Sequence, residues 1–159
     1  MSMDTREFRR ALGCFATGIT VITARDAAGM PVGLTANSFN SVSLDPPLVL
    51  WSLSLYSNNL AAFQNCSHWA VNVLAADQQA LSQRFAQTEG NRFGGLDFSE
   101  GLGGAPLLEG CCARFECRNE THYAGGDHLI FLGEVERYER FERPPLLYFG
   151  GRYRQLGTD

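Results

Sequence analysis

Apolar residues of the chain fall mostly into short runs, a pattern that favours β-strands over long helices. The β-branched run 19–24 predicts a strand, residues 26–31 predict a hairpin turn, and a second strand is expected from Val32 into 35–44. The Asp-Pro-Pro segment at 45–47 then breaks the chain. Further strands are predicted at 48–55, 68–75, 111–123 and 129–138, the last two forming a long hairpin closed by 124–128, and a short final strand near 146–156.

Helical signals are short and stand between the predicted strands. Asp4, with Glu7 three residues later, predicts a helix start, and Gly18 predicts its end. Apolar residues follow this start at helical spacing: Phe8, Leu12 and Phe15. Ser57 and Asp77 are each expected to cap a further short helix.

These elements predict one mainly β domain over residues 1–159. About six strands with short helices between them fit a small β-barrel of Greek-key type. The strands do not alternate with long helices, so a doubly wound parallel sheet is disfavoured. The glycine-rich stretch 89–104 is expected to be a loop held by three apolar residues: Phe93, Leu96 and Phe98.

Composition and charge exclude several functional classes. The 159 residues carry a net charge of −4, which argues against a nucleic-acid binder. All 13 basic residues are arginine, so a P-loop lysine and a Schiff-base lysine are both excluded. No apolar run reaches the roughly 18 residues of a membrane span, and no signal peptide is apparent at the start. We therefore expect a cytoplasmic protein without membrane contact.

Cysteine spacing and the absence of common motifs restrict the chemistry further. The five cysteines form no C-x-x-C pair, and with three scattered histidines they do not predict a metal site. We expect reduced thiols at Cys14, Cys66, Cys111, Cys112 and Cys117. The motifs G-x-G-x-x-G, G-x-S-x-G and H-E-x-x-H are all absent. The chemistry is therefore expected to come from a bound organic cofactor.

Two segments have the composition of a site for a flat, phosphate-bearing ligand. The small and hydroxylic residues of 33–39 would let a ring approach the backbone, although an ordinary strand has the same composition. The serine-rich strand end at 51–54 runs into 57–59, where free helix N–H groups would favour an anion. The alternative for Ser57 is a plain helix cap.

Three further residues are candidates on weaker grounds. Arg84 and Arg92, each followed by phenylalanine, could hold phosphate, but Arg84 is equally explained as a cation at a helix end. The Gly-Gly-Asp-His segment at 125–128 would place His128 at the rim of a cleft, and a solvated turn histidine is the alternative.

Taken together, five segments resemble the short-chain flavin reductases, the reductase components of two-component flavin-dependent monooxygenases. The resemblance extends from Phe8 to Leu156, nearly the whole chain. The segments lie at 15–21, 33–39, 41–48, 69–74, and 126–128 with 133–135.

The resemblance implies a split β-barrel homodimer that binds FMN or FAD and oxidises NADH or NADPH. His128 is implied to contact the nicotinamide. The residues implied to bind the flavin, with the two arginine candidates for its phosphate, are Thr35, Ala36, Asn37, Ser38, Ser52, Leu53, Ser57, Asn59, Arg84, Arg92 and Tyr153. One departure is that Leu55, Tyr56 and Asn59 stand where the family usually has a basic residue and a threonine.

We therefore expect an NAD(P)H:flavin oxidoreductase that passes reduced flavin to a separate oxygenase. Two alternatives remain open on the sequence. One is a flavin-binding or haem-binding split-barrel protein without reductase activity. The other is an enzyme that keeps its flavin and reduces a different acceptor.

Overall fold

The computed structural model describes residues 2–157. Within them lie three α-helices, α1 (Thr5–Leu12), α2 (Leu60–Asn65) and α3 (Gln79–Phe85), and one turn of 3-10 helix at Leu102–Gly104. The strands are β1 (Thr17–Gly18), β2 (Thr20–Arg25), β3 (Pro31–Ala36), β4 (Asn40–Leu44), β5 (Pro47–Ser54), β6 (His68–Val73), β7 (Phe98–Glu100), β8 (Pro106–Leu108), β9 (Ala113–Gly125), β10 (His128–Arg140), β11 (Leu146–Phe149) and β12 (Arg152–Gln155).

Seven of these strands form one antiparallel sheet in the order β3-β2-β6-β9-β10-β5-β4. Its two edge strands, β3 and β4, are consecutive in the chain and are separated only by residues 37–39. Such a short connection requires the two edges to approach each other, so the sheet curls around its own interior. Phe39, in this connection, stacks on Phe115 of β9 with ring centroids 5.6 Å apart. The predicted mainly β, split-barrel fold is confirmed.

An aromatic cluster fills the interior of the curled sheet. Trp51, Phe63, Trp69 and Phe131 are all fully buried. Trp51 stacks on Phe131 at 4.6 Å between ring centroids and meets Trp69 edge-on at 5.9 Å. The backbone of β10 passes so close that a Cβ on Gly133 would lie 2.4 Å from the Trp69 ring. Glycine at this position is therefore required by packing.

A second core lies between the sheet, α3 and the glycine-rich stretch 89–104. Phe93 is 9% exposed and packs edge-on against Phe85 of α3 with 5.0 Å between ring centroids. Leu96 and Phe98 are packed against the same cluster. The predicted apolar anchoring of this stretch is confirmed.

The prediction of about six strands is too low. The glycine-rich stretch contributes β7, and the predicted single strand at 146–156 is a hairpin of β11 and β12. Gly150 and Gly151 make that hairpin possible because both adopt positive φ, at 59° and 76°. The β9–β10 hairpin was predicted correctly, although its turn is shorter than 124–128 and His128 already begins β10.

The first helix begins as predicted and ends earlier. The Asp4 carboxylate accepts the N–H groups of Arg6 at 2.9 Å and Glu7 at 3.4 Å, as expected of an N-cap. The helix ends at Leu12 with Gly13 as its C-cap, so the predicted end at Gly18 is wrong. None of its residues is buried.

The caps of the two other helices differ from prediction. Ser57 Oγ accepts the N–H of Asn59 at 3.2 Å just before α2, whose N-cap is Asn59. Asp77 does not cap α3; the N-cap is Gln78. The Gln78 side chain instead accepts the N–H of Ala75 at 2.9 Å, tying the helix to the end of β6.

One carboxylate is buried between the sheet and the 3-10 turn. Glu116 is 6% exposed and is bound by Arg137, whose Nη2 lies 2.7 Å from Oε1. The N–H of Leu102 also donates to Oε1 at 2.8 Å. Burial alone would raise the pKa of Glu116, but the guanidinium and the N–H outweigh it and hold the pKa below its ordinary value.

All five cysteines are free thiols. Burial raises the pKa of Cys66 and of Cys111 to about 11, and raises that of Cys117 further. These thiols are therefore protonated at neutral pH and are poor nucleophiles. Cys14 differs from these thiols because it is exposed to solvent; it lies just after the end of α1.

Candidate functional site

The end of edge strand β3 forms one wall of a cavity of about 210 Å³. This ring cavity, as we call it, is lined by Ile19, Thr35, Ala36, Asn37, Ser82, Ala86, Tyr148 and Tyr153. Because β3 is at the edge of its sheet, one row of its peptide groups is not used in sheet pairing. The cavity thus combines aromatic and aliphatic walls with available backbone donors and acceptors.

A chain of hydrogen bonds fixes the walls of the ring cavity. Thr35 Oγ1 donates to the carbonyl of Ser82 at 2.6 Å, and Ser82 Oγ lies 2.9 Å from the Tyr153 hydroxyl. Ser82 is fully buried, whereas its partners Thr35 and Tyr153 are only partly buried. The predicted residues Thr35 and Tyr153 are therefore held together through α3.

Ser82 and Tyr148 are site residues that sequence reasoning missed. Ser82 lies in a short helix among residues typical of any amphipathic helix, and Tyr148 lies in a strand predicted only in outline. One signal was available for Tyr148. It stands two residues before the Gly150–Gly151 turn, and Tyr153 stands two residues after it, so the two tyrosines face the same side of the hairpin. Nothing in the sequence pairs Ser82 with Tyr153.

The Ser38 side chain links the connection after β3 to strand β5. Its Oγ accepts the N–H of Ser52 at 2.9 Å and donates to the Ser52 carbonyl at 3.2 Å. Both predicted residues are therefore brought together, but the Ser38 hydroxyl is occupied by the protein. Asn37 Nδ2 lies 3.4 Å from Thr17 Oγ1, which ties the same connection to β1.

A second cavity, of about 240 Å³, continues from the ring cavity and shares Thr35 and Ala86 with it. We call it the anion cavity. The remaining residues that line it are Leu34, Leu53, Ser57, Asn58, Asn59, Phe85, Gln87, Thr88 and Arg92.

The donor set of the anion cavity fits a phosphate. Hydroxyl, amide and guanidinium donors come from Ser57, Asn59 and Arg92, and no carboxylate occurs among the described residues that line it. Ser57 Oγ already accepts the Asn59 N–H, which leaves the hydroxyl proton free to donate. The two cavities form one groove with an apolar, aromatic part and an anion-binding part, as a flavin phosphate requires.

The two arginine candidates lie in different places. Arg92 lines the anion cavity and donates from Nη1 to the Gln87 carbonyl at 2.7 Å. Arg84 donates to the carbonyl groups of Gly94 and Asn91 and lines a separate cavity that also contains Asp77 and Asp97. The structure thus brings Arg92 into the groove and leaves Arg84 outside it.

His128 lies at the tip of the β9–β10 hairpin, beside the end of β5. It pairs with Ser54 in the sheet register, and the N–H of Leu55 donates to the Asp127 carbonyl at 3.0 Å. The side chain is 46% exposed, and Nδ1 lies 2.7 Å from Asp127 Oδ1. This hydrogen bond lowers the pKa of Asp127. Because the carboxylate accepts at Nδ1, Nε2 remains available for a ligand.

None of the three histidines is among the residues that line the ring cavity or the anion cavity. The other two are bound within the protein. His68 Nε2 lies 2.6 Å from Glu136, and His122 Nε2 lies 3.0 Å from Asn119 Oδ1. No group of three or more possible metal ligands was found in residues 2–157. In the same residues, no helix has the length and apolar character needed to cross a bilayer.

Comparison with known proteins places the chain in a family. The model of the flavin reductase like domain matches residues 12–157. The chain belongs to this family. The resemblance inferred from the sequence is therefore confirmed over almost its entire predicted extent.

Three curated relatives of this flavin reductase domain carry functional names. The FMN reductase (NADH) SmoA of Agrobacterium fabrum is 47% identical over 94% of this chain and 85% of its own length. The reductase subunit HsaB of a flavin-dependent monooxygenase of Rhodococcus jostii is 39% identical over 99% of this chain and 81% of its own. A probable flavin reductase of Rhizobium meliloti is 43% identical, but the chain spans only 48% of its length.

Solved structures show the same fold. The NADH:FAD oxidoreductase SgcE6 of Streptomyces globisporus, in complex with NAD and FAD fragments, superposes with a TM-score of 0.93 at 40% identity. The match covers 98% of this chain and 94% of that one. The flavin reductase PheA2 gives a TM-score of 0.91 at 42% identity, covering 98% of this chain and 100% of PheA2.

Proposed function

We propose that this flavin reductase domain, residues 1–159, is an NAD(P)H:flavin oxidoreductase. The observation that carries the proposal is the groove, in which residues from five separate segments form an apolar part that opens into a carboxylate-free anion cavity. The relatives named as an FMN reductase (NADH) and as a monooxygenase reductase subunit support the same activity.

The residues fit FMN or FAD in one orientation. The ring cavity would hold the isoalloxazine against Thr35–Ala36–Asn37 and Tyr153. Leu53 of β5 would contact the ribityl chain, with the Ser38–Ser52 link fixing the backbone beside it. Ser57, Asn59 and Arg92 would hold the phosphate.

The bound flavin would supply the hydride acceptor, and the chain would bind and orient the two ligands. Peptide groups at the edge of β3 orient the ring and can donate to its polar edge. The aromatic and aliphatic walls around Tyr148 and Tyr153 exclude water from the ring faces. We assign His128, through its available Nε2, to positioning the nicotinamide, with no proton transfer required of it.

We further propose that the protein acts as a homodimer in the cytoplasm and delivers reduced flavin to a separate oxygenase. Several large apolar side chains are exposed in the single chain, among them Phe15 at 78%, Leu44 at 96% and Tyr56 at 88%. Surfaces of this kind commonly mark contacts between subunits. Sedimentation that shows only monomer at micromolar concentration would contradict the dimer.

A spectroscopic assay tests the activity. The purified chain is mixed in air with FMN or FAD and an excess of NADH or NADPH, and the nicotinamide absorbance band is followed. We expect oxidation that requires added flavin and continues for many turnovers. Flavin binding without NAD(P)H oxidation would overturn the proposal in favour of a flavin-binding protein. Oxidation limited to one bound equivalent would favour an enzyme that keeps its flavin for another acceptor.

A further inference from the structure

Ser82 of α3 joins two walls of the ring cavity through two different groups. Its carbonyl accepts the Thr35 hydroxyl at 2.6 Å, and its own hydroxyl lies 2.9 Å from that of Tyr153. The first bond can run in one direction only, because a carbonyl has no proton to donate. The second bond joins two hydroxyl groups, and its direction decides whether Tyr153 presents a donor or an acceptor to the cavity.

Burial decides the direction of the second bond. Ser82 is 0% exposed, so its hydroxyl is not accessible to water or to a ligand in the cavity. Within residues 2–157, this hydroxyl has no hydrogen-bond partner other than Tyr153. A helical serine can donate to the carbonyl four residues earlier, but here that carbonyl, of Gln78, accepts the Ser82 N–H at 3.1 Å. Because buried donors are nearly always satisfied, the Ser82 proton goes to the Tyr153 oxygen.

This direction leaves the Tyr153 proton free. A phenol oxygen that accepts from Ser82 still has its own O–H to donate. Tyr153 is partly exposed and lines the ring cavity, and in the described part of the chain its side chain bonds only to Ser82. Its ring stands edge-on to Tyr148, with 5.4 Å between the ring centroids. The ring cavity therefore contains a phenol donor whose ring is held by Tyr148 and whose proton is directed by Ser82.

We propose that Ser82 is a positioning residue that directs the Tyr153 proton toward the flavin ring, so that Tyr153 stabilises the reduced ring more than the oxidised ring. The inference rests on the proposed function, which places the ring in this cavity. Hydride transfer takes two electrons and one proton from the nicotinamide, which leaves as a cation, and the flavin ring gains one negative charge. A hydrogen bond to a charged acceptor is about twice as strong as one between neutral groups, so a directed O–H favours the reduced ring.

The affinities of the chain for oxidised and reduced riboflavin test this role without any turnover. Riboflavin lacks the phosphate, so no phosphate contact enters the comparison. Quenching of flavin fluorescence gives the affinity for the oxidised form. The midpoint potential of bound against free riboflavin, measured without oxygen, gives the ratio of reduced to oxidised affinity. For a two-electron couple, a tenfold change in this ratio shifts the potential by about 30 mV.

Two single variants and their combination are compared with wild type. Tyr153→Phe removes the donor and should lower the ratio of reduced to oxidised affinity about tenfold, which moves the potential about 30 mV to more negative values. Ser82→Ala removes the group that directs the donor and should lower the ratio about three- to tenfold, although Tyr153 is unchanged. The double variant should fall no further than Tyr153→Phe, because Ser82 acts through Tyr153.

Thr23→Val is the matched control for the loss of a buried hydroxyl. Thr23 is also fully buried and donates to the Pro106 carbonyl, but it lines neither cavity of the groove. This variant should lower the free energy of unfolding and leave the riboflavin ratio unchanged. Ser82→Cys keeps a weak donor of similar size and should recover part of the ratio that Ser82→Ala loses. Far-ultraviolet circular dichroism of each variant checks that the fold is intact.

The sign of the Ser82→Ala effect can overturn the inference. If Tyr153 donated to Ser82, the substitution would free the phenol proton, and the ratio of reduced to oxidised affinity would rise. A rise would therefore refute the positioning role, and so would an unchanged ratio in Ser82→Ala or in Tyr153→Phe. Should Ser82→Ala not fold, Tyr153→Phe and Ser82→Cys still decide.

The outcomes also separate this inference from the proposed function. NADH oxidation by wild type, together with a ratio that does not depend on Ser82, would refute the positioning role alone. A ratio that depends on Ser82 and Tyr153, without any NADH oxidation, would refute the reductase activity and leave the directed donor in place.

Discussion

Replacement of Ser57 by alanine tests the anion cavity at a single hydroxyl. The Oγ atom accepts the Asn59 N–H at 3.2 Å, so its own proton is free to donate to a phosphate oxygen. A hydrogen bond to a charged group of this kind is worth about 1–2 kcal/mol net. Ser57→Ala should therefore weaken FMN binding about 5- to 30-fold.

Quenching of flavin fluorescence measures this loss, and riboflavin provides the matched ligand because it lacks the phosphate. We expect Ser57→Ala to weaken FMN binding and to change riboflavin binding less than about twofold. Ser57→Thr retains the hydroxyl and should bind FMN nearly as well as wild type. Ser99→Ala, at an exposed position in β7, serves as the control for a serine outside the groove.

Two results would refute the reasoning. An equal loss for FMN and riboflavin would mean that Ser57 supports the turn before α2 and not the phosphate. A loss below about twofold for both ligands would remove Ser57 from the site. A large loss only for FMN would support the assignment of the phosphate to this end of the groove.

Three further predictions concern the nicotinamide, the core and pH. His128→Ala should lower kcat/KM for NAD(P)H about 10- to 100-fold in steady-state kinetics and leave flavin affinity unchanged; unaltered kinetics would remove His128 from the site. Gly133→Ala should destabilise the fold by about 1–3 kcal/mol in urea titration, because its Cβ would lie 2.4 Å from the Trp69 ring. Gly18→Ala, with no heavy atom within 4 Å of the added Cβ, is its control, and equal effects would contradict the packing argument. The pKa of Glu116 is lowered in the folded chain, so its stabilising contribution is complete above the unfolded pKa and is lost as pH falls through the folded pKa. Glu116→Gln should therefore flatten the acid side of the profile of unfolding free energy against pH. An unchanged profile would refute this role.

The sequence alone determined the elements whose signals are local. The β-branched run 19–24 encodes β2, and the two glycines before Asp127 encode the turn of the β9–β10 hairpin. The Asp4 cap encodes the start of α1. Short segments with small and hydroxylic residues marked both walls of the groove, because ring approach and anion binding each need particular residue types near the backbone.

Tertiary structure decided which of the candidates share a site. Arg84 and Arg92 have the same local sequence signal, yet only Arg92 lines the anion cavity, because the loop carbonyl of Gly94 binds the Arg84 guanidinium. The apolar spacing of Phe8 and its neighbours predicted a helix, and the fold leaves these apolar side chains exposed. Periodicity shows which side of a helix is apolar, but not whether another element covers it.

The contribution of Ser82 could only be seen in three dimensions. Its hydroxyl meets Tyr153 and its carbonyl meets Thr35, residues that are far from it in the chain. A serine in a short helix has no pattern that distinguishes a buried hydrogen-bond partner from an ordinary helical residue. The chain specifies its strands and turns locally, whereas the groove exists only because the curled sheet, α3 and the β11–β12 hairpin bring these distant polar groups within hydrogen-bond distance.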